Sequence, residues 1–215
     1  MHRARQHAET RTRERRRRLA HEAARLMAEG GIHDYHQAKL KAADRLGIHD
    51  DASLPRNREI EEALREYQRI FLGQAQAGAV RQRREAAARA LEFFAGFEPR
   101  LVGPVLDGTA DAGSPVLLHL HADDPDAVAR FLEEHGIPAE PRGRRLRLDR
   151  ERSFDAPVWV FSAEDLAFDL TVLPSQALRQ APLSALDEKP MRRASLAQLR
   201  QLLAEDEIAG YELSL

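Results

Sequence analysis

Between Thr10 and Gly96 the apolar residues recur every three or four positions, whereas after Gly96 they gather in short runs or alternate with polar ones. Leu19, Ala23, Leu26 and Met27 predict a first helix, stopped by Gly30-Gly31. Asp34 with Gln37 forms a capping box that opens a second helix, which runs to Leu46 and ends at Gly47. After a loop from Ile48 to Arg56, Asn57 caps a third helix with Ile60, Leu64, Tyr67 and Phe71 on one stripe. A fourth runs from about Gly78 to Ala95, with Val80, Ala87, Leu91 and Phe94 inward. These four helices predict a bundle.

The second half reads differently. Arg100 to Leu106 and Val116 to His121 predict strands around a glycine-containing turn. Asp124-Pro125 opens an amphipathic helix carrying Val128, Phe131 and Leu132, closed by Gly136. Two more strands follow, Arg144 to Asp149 with Leu146 and Leu148 inward, then Val158 to Phe161. A turn from Ser162 to Asp165 leads into a strand from Leu166 to Leu173, stopped by Pro174, and Ser195 with Gln198 caps a last helix. The expected fold class is α+β: a helical bundle over 19–96, then a mixed sheet with flanking helices over 97–215.

Composition narrows the function. The chain has 215 residues and 43% hydrophobic content, enough to bury a core. The absence of cysteine excludes disulfides, thiolate nucleophiles and sulfur-ligated zinc. No apolar run approaches the roughly 20 residues a membrane helix needs, and no apolar segment follows the first arginines, so no membrane partner and a cytoplasmic location are expected.

Charge is distributed unevenly. Residues 1–18 carry +6, residues 19–100 are neutral and the remainder carries −8. Arg13, Arg15, Arg16, Arg17 and Arg18 make a basic arm suited to RNA or DNA phosphates or to an acidic protein partner, or else the solvated start of the first helix. Arg145 and Arg147 alternate with Leu146 and Leu148, which gives a strand face suited either to tracking phosphates or to guarding a sheet edge. The basic loop from Asp187 to Arg193 suggests no chemistry of its own. His33, His36 and His49 with Asp34, Asp50 and Asp51 are ligand-type residues at no recognisable metal spacing. Ala42 to Ile48 is similar to the start of a helix-turn-helix reader, but the next helix waits until Asn57 and begins with acidic residues that repel phosphate.

The stretch from Leu101 to Leu118 carries the most specific signal. Leu101-Val102-Gly103, Gly108-Thr109 and Ser114 follow without a gap the order of a strand ending in glycine, a second glycine pair and a serine before the next strand. Phe168 to Leu173 supplies a later strand bearing Asp169. Over about 100–175 this resembles the polymerase-beta-like nucleotidyltransferases. The resemblance implies a nucleotide or phosphate cradle built on Gly103, Gly108, Thr109 and Ser114. It also implies paired carboxylates holding two metal ions for phosphoryl transfer. Those two positions are Pro115 and Leu117, and the phosphate-holding serine is Pro104. With Asp169 alone, magnesium is not expected at the family position. A pseudoenzyme with a binding or regulatory role is the expectation. The alternative enzyme is a metal-dependent one using His119, His121 and Asp169, since the two histidines share a strand face. A nucleic-acid-binding protein acting through the arm, or a plain protein-interaction scaffold, also fits the residues.

Overall fold

The computed structural model describes residues 2–212 except 72, 125, 150, 185 and 186, and side chains within 9–208, residue 74 also omitted. Two compact units divide between Gln76 and Ala77. In the first, α1 (His2–Gly30), α2 (Tyr35–Leu46) and α3 (Asn57–Phe71) share one core. Leu19, Ala23 and Met27 of α1 meet Ala38 and Ala42 of α2 and Ile60 and Leu64 of α3. The alanines let the helix backbones approach closely, and each large aliphatic side chain buried contributes about 1.5–3 kcal/mol. Asp34 caps α2 by accepting from the Gln37 amide at 2.7 Å, and Gly47 ends it in the left-handed conformation. The expected basic arm is no separate segment, because the arginines continue directly into the first helix.

The second unit holds α4 (Gly73–Phe93) from Ala77 onward and a five-stranded mixed sheet. The predicted apolar stripe of the fourth helix is present, but its core is the sheet's: Val80, Ala87, Leu91 and Phe94 pack with Leu118, Leu120, Leu170 and Val172. The α+β class with helices before a mixed sheet holds, while the fourth helix belongs to the sheet's unit and the bundle over the first unit has three helices. Helical periodicity reports a buried face without saying what buries it.

The strands are β1 (Arg100–Val102), β2 (Val116–His121), β3 (Glu140–Arg147), β4 (Ser153–Ala163) and β5 (Leu166–Leu173). Their order is β1-β2-β5-β4-β3, with β2 and β5 parallel and every other pair antiparallel. Both β2 and β5 match the sequence expectation. The strand expected to reach Leu106 stops at Val102, because Gly103 turns to φ 72° and Pro104, pre-set for a first helical position, starts a short helix, α5 (Pro104–Asp107). The strand expected at Arg144 begins at Glu140, and the one expected at Val158 begins at Ser153; both carry polar residues where one side meets water. The expected proline start of α6 (Asp126–Glu134) falls on residue 125, outside the described residues. A last helix, α7 (Leu196–Glu212), opens on a reciprocal box. The Gln198 side chain accepts from the Ser195 amide at 2.9 Å, and the Ser195 hydroxyl accepts from the Gln198 amide at 3.4 Å.

Alternation gives the sheet two distinct faces. Val116, Leu118, Leu120, Phe168, Leu170 and Val172 enter the core. Leu117, His119, His121, Asp169 and Thr171 therefore point to the opposite face. Parallel pairing sets Leu117 beside Asp169 and His119 beside Thr171.

Candidate functional site

The polar face of the sheet, with the glycine turn at its edge, is the candidate site. Asp169 is buried and held by Arg144, whose guanidinium donates to both carboxylate oxygens at 3.0 and 2.7 Å and to the Thr171 hydroxyl at 2.9 Å. This bidentate fork neutralises the carboxylate and occupies the lone pairs a cation would need. Arg144 reaches Asp169 because it shares the strand parity of Leu146, the side of β3 that the pattern marks as inward. Arg145 and Arg147, which the sequence suits either to tracking phosphates or to guarding a sheet edge, lie on the other side. Arg145 donates to the Ser153 hydroxyl, and Arg147 pairs with Glu188 at 2.7 Å.

His119 is buried beneath this face, with its Nδ1 lacking a hydrogen-bond partner. Burial, reinforced by the positive charges of His121, Arg193 and Arg144, pulls its pKa down to about 3, so it is neutral at pH 7. His121 is also buried; loss of solvent lowers its pKa, opposed by a 2.8 Å hydrogen bond to the Glu98 carbonyl. That bond fixes Nδ1 as the donor, which leaves the buried, unpartnered Nε2 as an acceptor. Among the described residues, no group of three or more His, Asp or Glu is arranged to hold a metal ion. The two histidines and Asp169 share a face, but Asp169 faces Arg144 and His121 faces a carbonyl. The ligand-type residues of the first unit serve as caps at Asp34 and Asp50, the latter accepting from the Ser53 amide at 2.8 Å.

The glycine turn is closed by its own bonds. The Thr109 and Ala110 amides donate to the Pro104 carbonyl at 2.9 and 3.2 Å. The Ser114 hydroxyl donates to the Asp111 carboxylate at 2.7 Å and accepts from the Asp111 amide at 2.9 Å. Gly103 adopts a conformation that only glycine takes without strain, and a Cβ there would lie 2.8 Å from the Leu117 side chain. Leu117 thus covers the glycine. The turn's carbonyls are clamped from α4: Arg83 donates to Ser114 at 2.7 Å and also to Ala112, while Arg84 donates to Val105 and Leu106 at 3.0 and 3.1 Å. Gly108 sits in the left-handed region, 3.6 Å from Arg84 as measured from an added Cβ. The expected cradle of Gly103, Gly108, Thr109 and Ser114 therefore exists as a turn, but its Thr109 amide and Ser114 hydroxyl already have partners within the chain.

Comparison with protein-family models, curated proteins and solved structures returned no match.

In the first unit, Arg15 pairs with Asp50 at 2.9 Å and Arg16 donates to the Ala52 carbonyl at 2.5 Å, so two of the five arm arginines bind their own chain. Arg13, Arg17 and Arg18 are exposed. Among the described residues no helix is long and apolar enough to cross a membrane.

Sequence reasoning missed Arg83, Arg84 and Arg144. Arg83 and Arg84 stand among the alanines of an apolar helix stripe, and their burial could have been inferred from that placement. Arg144 could have been inferred from parity with Leu146.

Proposed function

We propose that the second unit is a nucleotidyltransferase-like domain that no longer transfers nucleotides and acts by binding a phosphate-bearing ligand, a nucleotide or nucleic acid. The observation that carries this reading is the register of β2 against β5. Leu117, the position the resemblance reserves for a carboxylate, stands beside Asp169, and its side chain lies over Gly103. Pro115 and Leu117 offer no side-chain oxygen to a metal, and Asp169 is committed to Arg144. The residues present do not fit the magnesium pair of that family, so no transfer step runs through it.

The two strands over 100–121, joined through α5 and the glycine turn, and the later strand bearing Asp169 support the fold reading. Arginine in place of metal ions supports binding without chemistry, because a guanidinium neutralises phosphate while activating no nucleophile. The test is incubation with labelled nucleoside triphosphates and magnesium, followed by calorimetric titration of the same nucleotides. Saturable heat without labelled product is expected; catalytic turnover overturns the proposal. The exposed Arg13, Arg17 and Arg18 favour a second reading, nucleic-acid binding by α1, and deletion of residues 1–18 tests it through loss of salt-sensitive RNA or DNA binding.

A further inference from the structure

The basic loop before α7 meets the polar face at the β1 edge. Leu101 and Ala194 exchange backbone hydrogen bonds at 2.8 and 2.9 Å, and both are buried in the core. Their neighbours Arg100 and Arg193 therefore point to the opposite face, the one that carries His119 and His121. Arg193 crosses to the turn after β5 and donates to the Ala177 and Leu178 carbonyls at 2.7 and 3.0 Å. It is half-buried, and among the described residues no carboxylate lies within 4.0 Å of it. Loss of solvent and repulsion from Arg100 both lower its pKa. Arg100 donates to the Pro99 carbonyl at 2.8 Å, and its nearest carboxylate is that of the well-exposed Glu98 at 3.7 Å.

A partly desolvated guanidinium without a counter-charge, set near a second one, is costly to keep. The two fully buried histidine nitrogens without partners mark the same face as unsatisfied by the protein alone. An anion with several oxygens would relieve the charge deficit of the two guanidinium groups.

We propose that Arg100 and Arg193 form the receptor for a phosphate monoester group at the β1 edge of this face. The pair supplies two positive charges for a dianion, and guanidinium forks match phosphate oxygens. This inference rests on the proposed binding role and assigns it to residues outside the glycine turn.

The test is calorimetric titration of the full chain with inorganic phosphate and, separately, with a nucleoside monophosphate, for the wild type, Arg100→Gln, Arg193→Gln and Arg145→Gln. Arg100→Gln leaves the Arg193 crossing intact, so it remains informative should Arg193→Gln fail to fold. Both probes should bind the wild type, and each receptor variant should weaken both about tenfold or more, with Arg145→Gln unchanged. Phosphate binding that tightens with an added nucleoside identifies a nucleotide as the source of the group; equal affinity identifies a free phosphate site. No phosphate binding by the wild type, or binding indifferent to Arg100→Gln, overturns the assignment. If nucleotides bind yet ignore both variants, the binding role stands and this receptor falls. If phosphate binds and nucleotides do not, the receptor stands and the nucleotide reading falls.

Discussion

Lowering the pH from 7 to 5 should destabilise this protein, and His119 should account for a large part of the loss. In the native state burial and neighbouring positive charge hold its pKa near 3, whereas the unfolded chain takes the proton near 6.5. Folded His119 therefore binds fewer protons than unfolded His119 between those two values. Stability is full above 6.5 and falls as pH drops through the window, at up to about 1.36 kcal/mol per pH unit. From pH 7 to 5 the loss from this residue is about 2 kcal/mol. His121 is shifted in the same direction and adds to it. The carboxylates held below their ordinary range by their hydrogen-bond partners, Glu22, Asp50, Asp124 and Asp149, ordinarily titrate at 4.5 for Glu and 3.8 for Asp, so their contribution is lost mainly below this range. Urea unfolding at pH 7, 6 and 5 on the wild type and on His119→Leu measures the effect. The variant should lose about 2 kcal/mol less than the wild type across the range. Equal pH slopes for the two proteins would refute the account of a buried, neutral imidazole.

Four other outcomes follow from the packing. Gly103→Ala forces a positive φ on an L residue and drives a Cβ to 2.8 Å from Leu117, so denaturant unfolding should show a loss of roughly 2–4 kcal/mol. Adding Leu117→Ala should relieve the clash but not the backbone strain. Arg144→Met leaves a buried carboxylate uncompensated; with Arg144 39% exposed, the loss should be about 1–3 kcal/mol, largely recovered in Arg144→Met with Asp169→Leu. Asp165→Gly should stabilise the protein by about 0.5–1 kcal/mol, read as a higher urea midpoint, because Glu164 and Asp165 hold φ values of 51° and 61° in the two-residue turn between β4 and β5.

The parts of this fold legible in the sequence are those where a local signal and the tertiary outcome coincide. β5 was readable from Leu166 to Leu173 because its apolar run ends at a proline, and α2 from Asp34 and Gly47 because caps act within a few residues. Partnership was not legible: the stripe of α4 has the same period whether helices or strands cover it. The site was half readable. Asp169, His119 and His121 do share a sheet face, as the period of two requires. What separates them is the guanidinium of Arg144, 25 residues from Asp169 in sequence and brought to it only by the order β5-β4-β3. The clamp of Arg83 and Arg84 on the glycine turn was hidden for a related reason: helical pattern marks such positions as apolar, and only the facing carbonyls explain a charge there.

Dependence of nucleotide binding on magnesium tests the central claim most directly. Titration of a nucleoside triphosphate into the full chain, once with magnesium and once with a chelator, compares a metal-held ligand with an arginine-held one. With Pro115 and Leu117 at the carboxylate positions and Asp169 bound by Arg144, the affinity with chelator should equal or exceed that with magnesium, and no product should form. Binding seen only with magnesium, accompanied by turnover, would contradict it.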